Sequence, residues 1–308
     1  MDAYTLPPLR GFQNHSLDST RWAHYVPRDG DIVVSSSYKS GTTWLQLVLL
    51  RLVMPDVDLV PVMRVSPWLE SPLVPLAEVL ETLDLQSHRR VIKTHLPLDG
   101  LPYHAHVKYI VVARDPRDVF MSLWNHYQHL IRYPFQRQLK HPERVGGPLP
   151  ACPDDLRVFW RSWMTRGWFE WESEGYPFWA NLRHSQVWWQ ARHLPNVAFV
   201  HFNDLLTNLD MEIESIASYL GVAVDRRQIA VIAEGVQFSR MREHDDVLLP
   251  DAGAMLRGGG RTFMHQGTNG RWKEWLSADD LSLYAAAVAR ELSPACAEWL
   301  EHGRAFAR

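Results

Sequence analysis

A short apolar run, a glycine-containing loop and an amphipathic helix follow one another without interruption near the start of the chain, and this order constrains the fold more than any other feature. Asp31-Ile32-Val33-Val34-Ser35 comes after the turn signal Pro27-Arg28-Asp29-Gly30 and reads as a buried strand. Ser36 to Gly41 is the loop. From Thr42 the period changes, with Trp44, Leu45, Val48, Leu49 and Leu52 at helical spacing until Pro55 ends the helix. Such a loop at the C-terminal end of a strand turns backbone N–H groups towards an anion at the helix N-terminus.

The same alternation continues along the chain. Val91-Ile92-Lys93-Thr94-His95 and Lys108 to Ala113 read as two more strands, and Val197 to Phe202 as a fourth, followed by a helix from about Asp210 to Leu220 that stops at Gly221. Asp115 is placed to cap a helix with Pro116 at its first position. Ser277 and Asp280 form a capping-box signature for a helix running towards Leu292. The predicted fold class is therefore α/β, a P-loop-type parallel sheet with helices on both faces, in a single domain over residues 1–308. Gln128 to Pro195 and Arg240 to Gly270 interrupt the alternation and read as insertions over the sheet.

Charge and cysteine content narrow the partners. A net charge of −3 gives no global attraction to a nucleic-acid polymer or an anionic membrane, so any anion site has to be built locally. Two cysteines, Cys152 and Cys296, are too few for a disulfide framework and lack metal-ligand spacing; a reducing, cytoplasmic location is expected, with no metal. No membrane span is expected either. The tryptophans between Trp160 and Trp189 suit either an aromatic pocket or core.

The loop is not that of an ATP enzyme. In GxxxxGK[ST] a lysine follows the second glycine, whereas here Thr42 follows Gly41 and the lysine is Lys39, two residues before it. Phosphoryl transfer commonly uses magnesium held by an acidic residue at a strand end. The matching strand end here begins with Arg114, a cation suited to a second phosphate. Asp115 could be read as a metal ligand, but its position suits a cap.

Tyr38-Lys39-Ser40-Gly41-Thr42-Thr43-Trp44 resembles the 5′-phosphosulfate loop of the cytosolic-type sulfotransferases, which use 3′-phosphoadenosine 5′-phosphosulfate (PAPS). Three further segments agree in order: Lys93-Thr94-His95-Leu96-Pro97, Val112-Ala113-Arg114-Asp115-Pro116-Arg117-Asp118-Val119 with Ser122, and Phe263-Met264 with Gly267, Gly270, Trp272 and Lys273. The resemblance implies that His95 is the general base, that Lys93 meets the sulfuryl oxygens and that Lys39 contacts the oxygen bridging phosphate and sulfate. It implies that Ser40 and Gly41 belong to the donor loop, that Thr42 and Thr43 hold the 5′-phosphate, and that Trp44 and Phe238 flank adenine. Arg114 and Ser122 would hold the 3′-phosphate. The chain departs from the family at His265-Gln266-Gly267, where many members have Arg-Lys-Gly, and at Phe202 and Val236, where the family has a tyrosine and a threonine near the base. Gly267 amides, the side chains of His265 and Gln266, or Arg261 are the available compensations.

The implied reaction is in-line transfer of a sulfuryl group from PAPS to the hydroxyl of a small acceptor, releasing PAP. An inactive PAP-binding protein of the same fold is the alternative, and the sequence leaves oligomeric state open. Trp68, Tyr103, His126, Tyr127 and aromatics between Tyr133 and Trp189 are candidates to line an acceptor pocket suited to a phenol, an alcohol or a lipid headgroup.

Overall fold

Four parallel strands lie in the order β2-β1-β3-β4, where β1 is Ile32–Ser35, β2 Val91–Thr94, β3 Lys108–Ala113 and β4 Val197–His201. The structure, a computed structural model, describes residues 5–131 and 146–304. Register is set by Ile32 opposite Val91 on one side and Lys108 on the other, and by Tyr109 opposite Val197. The chain leaves β1 to the left and returns past it to β3, so a crevice opens at the C-terminal ends of these strands.

The strands are apolar on both faces because helices cover both. Val33, Ile92, Tyr109 and Val111 enter one core, while Ile32, Val34, Val91, Ile110 and Val112 enter the other, as the two-residue period of a strand requires. The second core is closed by α1 (Thr42–Val53) and by two later helices, Leu209–Leu220 and Arg226–Gly235. The first receives α2 (Pro116–His129), α3 (Leu156–Thr165), α4 (Leu182–Gln190) and α5 (Ala278–Glu291). Among the described residues no helix is long and apolar enough to cross a membrane.

Local signals act where the sequence places them. Asp115 caps α2 by accepting from the Arg117 N–H at 2.9 Å, and its carboxylate also holds the Arg117 guanidinium at 2.7 Å; it serves as a cap. Ser277 and Asp280 close the expected capping box of α5. The strand expected to end at Phe202 ends at His201, because Phe202 opens a short helix, Phe202–Thr207. The aromatic insertion divides its tryptophans: Trp160, Trp163 and Trp188 are core, while Trp179 faces the cavity described below.

Asp31, at the entry to β1, is a buried structural anion. It accepts from Arg90 Nε at 2.8 Å, the Arg28 N–H at 2.9 Å and the Tyr25 hydroxyl at 2.6 Å, fixing the N-terminal ends of β1 and β2 together. Removing one partner of a buried pair leaves the other charge uncompensated. Asp31→Ala is expected to cost about 3–5 kcal/mol, read as a lowered urea midpoint at unchanged m-value.

Candidate active site

Each of the four strands delivers functional groups at its C-terminal end. The loop after β1 carries Lys39; β2 carries Lys93 near its end and is followed by His95; β3 is followed by Arg114; and β4 by Phe202. All five line one cavity of about 1230 Å³, together with Gly41, Thr42, Thr43, Trp44, Ser122, Phe238, His265, Gln266 and Gly267. The structure thus gathers every predicted site residue except Ser40. The Ser40 hydroxyl donates to the Tyr38 carbonyl at 3.0 Å and braces the loop from within.

The loop conformation depends on two unusual backbone positions. Lys39 has φ 49°, in the left-handed region that costs a non-glycine residue roughly 1–2 kcal/mol. Gly41 has φ 99°, and a Cβ there would stand 2.7 Å from the Phe202 ring. The aromatic insertion holds this shape from outside. Trp163 Nε1 donates to the Tyr38 hydroxyl at 2.6 Å, that hydroxyl donates to the Trp179 carbonyl at 2.9 Å, and Trp179 Nε1 donates to the Ser37 carbonyl at 2.7 Å. Trp179 is held in turn by Glu172 and Glu174: Glu172 accepts the Ala180 N–H at 3.0 Å, and Glu174 accepts from the backbone of Asn181, Leu182 and Arg183.

Three cations meet in the cavity outside any ion pair. Lys39 Nζ lies 4.2 Å from the centre of the Phe263 ring and donates to the Phe263 carbonyl at 3.3 Å. Lys93 Nζ lies 4.8 Å over Trp68. Arg114 stacks 4.2 Å over Phe202 and donates to Asn269 Oδ1 at 2.8 Å and the Thr268 carbonyl at 2.7 Å. Among the ion pairs of the described residues none includes these three. Removal from water, with the nearby charges of Lys93 and Arg114, pushes the Lys39 ammonium down to about 7. Burial pushes Lys93 down to about 8, against the pull of Glu70, and Arg114 down to about 10.

His95 stands beside these ammonium groups, in contact with Trp68 and Trp179 at ring-centre distances of 4.7 and 5.5 Å. Its Nδ1 lies 2.7 Å from the Ser36 carbonyl oxygen, which only accepts, so Nδ1 carries the proton and Nε2 the free lone pair. Burial first, then Lys93, holds the imidazole well below its ordinary range.

Glu70 fixes this corner, and sequence reasoning missed it. Wholly buried, it accepts from the His95 N–H at 2.6 Å, Thr94 Oγ1 at 3.0 Å, Trp22 Nε1 at 3.0 Å and Trp68 Nε1. One acid in the otherwise apolar stretch Trp68-Leu69-Glu70 was the available signal. At the other end of the cavity, beside His265 and Gln266, stands a further cation, Arg271, whose Nη1 donates to His265 Nδ1 at 3.1 Å and which lines the cavity close to Arg114. Arg261, named as a compensating residue, instead faces Asp245 at 3.7 Å on the surface.

Gly267 has φ 66°, and a Cβ there would lie 2.7 Å from Phe238, so this backbone closes on the ring. Trp44 Nε1 is buried without a partner, edge-on to Phe202 at 5.5 Å. Val236 is core and does not reach the cavity. On the other side the walls are apolar, with Leu73, Val79, Leu130, Leu149, Phe178 and Met255. Trp68 and His126 line this half as expected. Tyr103 and Tyr127 do not: Tyr103 donates to Asn196 Oδ1 at 2.6 Å and stacks on Tyr109, and the Tyr127 hydroxyl donates to the Pro150 carbonyl. Tyr133 lies outside the described residues.

A strand-loop-helix anion site on a parallel sheet, with cations at successive strand ends and an imidazole beside them, defines a group-transfer enzyme for a polyanionic donor. The sulfotransferase domain family matches residues 29–293, and the chain belongs to that family. It is 33% identical over 308 residues to a glycolipid sulfotransferase of Mycobacterium tuberculosis (strain ATCC 25177 / H37Ra), covering 95% of this chain and 94% of the relative. To sulfotransferase 1A1 of Rattus norvegicus it is 26% identical, covering 94% and 90%. Its fold matches retinol dehydratase solved with androsterone and the inactive cofactor PAP, at a TM-score of 0.68 and 20% identity over 88% of this chain and 83% of that one. Mouse sulfotransferase SULT7A1 complexed with PAP matches at 0.65 and 20%, covering 88% of each.

Glu70→Gln keeps the volume but replaces one acceptor oxygen by an amide that opposes inward-pointing N–H groups. It is expected to cost about 1–3 kcal/mol in stability, seen in urea unfolding, and to lower sulfotransferase turnover more than affinity for PAP. An unchanged unfolding midpoint and turnover would show that the carboxylate is not the anchor.

Proposed function

We propose that this sulfotransferase, working as one domain in the cytoplasm, takes PAPS as donor and transfers its sulfuryl group to a hydroxyl of a sugar-headed lipid or similar amphiphile. The observation that carries the donor assignment is the set of three cations, Lys39, Lys93 and Arg114, enclosed around one loop and, among the described residues, in no ion pair with a carboxylate. A donor with phosphates at both its 5′ and 3′ ends and a sulfate supplies the missing charge. The residues also fit its base: Phe238 and Phe202 form apolar walls, and the unpartnered Trp44 Nε1 faces the same region. Both cysteines are free, in keeping with a reducing compartment.

Lys39 stands to stabilise the oxygen that leaves sulfur, and Lys93 the sulfuryl oxygens as charge spreads over them. Arg114 and Ser122, joined by Arg271, would hold the 3′-phosphate. Thr42 and Thr43, at the first turn of α1, would hold the 5′-phosphate through their N–H groups and the helix dipole. His95 Nε2 takes the proton of the acceptor hydroxyl as its oxygen bonds to sulfur and the bridging S–O bond breaks; PAP and a sulfate ester are the products. The acceptor assignment is supported by the apolar half of the cavity and by the mycobacterial relative named a glycolipid sulfotransferase, 33% identical over 95% of this chain.

Thermal unfolding with PAP, AMP and magnesium-ATP separates donor classes. PAP at about 100 times its Kd should stabilise the fold by about 2.7 kcal/mol; stabilisation by magnesium-ATP alone would overturn the donor assignment. His95→Ala is expected to lower turnover by about 10²–10⁴-fold while retaining PAP binding, and normal turnover would remove His95 from the base role.

Binding of PAP should also take up protons. A bound polyanion raises the Lys39 and Lys93 ammonium groups from about 7 and about 8, so protons are gained in that window and affinity falls as pH rises through it. Calorimetry at pH 8 in two buffers of different ionisation enthalpy measures the uptake, and proton release would contradict it.

A further inference from the structure

The apolar half of the cavity contains one imidazole for which the transfer chemistry has no use. His126 lies on α2 one helical turn beyond Ser122, at i+4, so the two side chains share a face. That turn is about 6 Å of helix rise, which carries the wall from the donor site at Ser122 to the acceptor side at His126. Leu130, a further turn on, is apolar and also lines the cavity. His126 stands edge-on to Phe263 at 5.8 Å, and the same Phe263 ring carries the Lys39 ammonium at 4.2 Å. His126 is therefore one ring away from the reacting end of the donor site.

Its hydrogen bonding is unfilled. His126 Nδ1 is shut off from solvent with no partner, and no hydrogen bond of the protein reaches either ring nitrogen among the described residues. The neighbouring polar side chains of α2 are committed elsewhere: Asn125 donates to the Thr262 carbonyl at 3.2 Å, and His129 Nδ1 meets the Asn125 carbonyl at 2.7 Å. A polar group left unsatisfied in such a place is destabilising unless something that enters the cavity completes it. Burial first, and then the charged and titratable groups facing it, Lys39, Lys93 and His129, oppose its protonation, so it stays neutral with one donor and one acceptor nitrogen. A neutral imidazole of this kind complements a hydroxyl, which both donates and accepts.

We propose that His126 is the specificity-determining residue of the acceptor half, binding a second hydroxyl of the acceptor so that polyol-headed amphiphiles are selected over monohydric alcohols of equal chain length. This rests on the acceptor reading given above and adds to it the group that reads the head. While one hydroxyl meets His95 Nε2, a neighbouring hydroxyl of the same head meets His126, and the hydrocarbon lies along Leu130, Leu149 and Met255. A monohydric alcohol leaves His126 unpaired as before, and so forfeits the gain.

Octyl β-glucoside and 1-octanol, each with saturating PAPS, are the probes. The wild-type enzyme should favour the glucoside in kcat/KM by at least tenfold. In His126→Phe that ratio should fall at least tenfold, chiefly through the KM of the glucoside, and His126→Gln, which retains a donor and an acceptor, should recover part of it. PAP binding by calorimetry shows that each variant is folded. Equal loss on both acceptors in His126→Phe, or an unaltered ratio, would overturn the assignment of His126. A wild-type enzyme that binds PAP but sulfates neither probe would instead overturn the amphiphile reading, and with it this inference.

Discussion

The burial of three cations, Lys39, Lys93 and Arg114, in one crevice is the constraint around which the rest of this structure is arranged. Withdrawal from water lowers the basicity of all three, and for Lys39 the charges of Lys93 and Arg114 add to it. A folded chain tolerates such a cluster only if its framework is stiff enough to hold the groups where they are. Here that framework is the parallel sheet, whose four C-terminal ends are fixed by register to within one crevice.

The acids near the crevice support it without discharging it. Glu70 spends its two oxygens on four donors, Asp115 is taken by the cap of α2 and by Arg117, and Asp118 accepts the Gly270 N–H at 2.8 Å, tying the C-terminal signature to α2. Glu174 serves three backbone N–H groups at the start of α4. Burial pushes Glu174 up to about 8, so it is mostly protonated near neutral pH, whereas Asp118, pushed up to about 6, keeps most of its charge there and offsets part of that of Arg114. The cations are left with a charge deficit that a polyanionic donor fills.

Much of this was legible in the sequence because its signals are local. A strand run, a displaced lysine, a glycine that needs positive φ and a capping aspartate each act within a few residues, and Lys39, Gly41, Arg114 and Asp115 lie where such signals put them. Residues read through distant contacts were not legible. Glu70 joins Trp22 to His95, and Arg271 reaches a site whose other cation, Arg114, follows β3, pairings that only the folded chain creates. Tyr103 and Tyr127 have the composition of pocket residues, but each hydroxyl found a partner in the core. Ser40 lies within the motif and yet turns inward, because motif membership specifies the loop and leaves the direction of each side chain to packing.

The same charge deficit governs His95, the base of the proposed reaction. His95 has the correct tautomer from the Ser36 carbonyl, but burial and the ammonium groups of Lys93 and Lys39 make it a poor proton acceptor while the crevice lacks an anion. Any polyanion that neutralises those ammonium groups removes their contribution and raises the affinity of Nε2 for a proton. In the proposed reaction the acceptor hydroxyl is therefore activated most strongly when the donor is present to receive it. Loop, cations and imidazole form one electrostatic unit, in which the groups proposed to bind the donor would also set the strength of the proposed base.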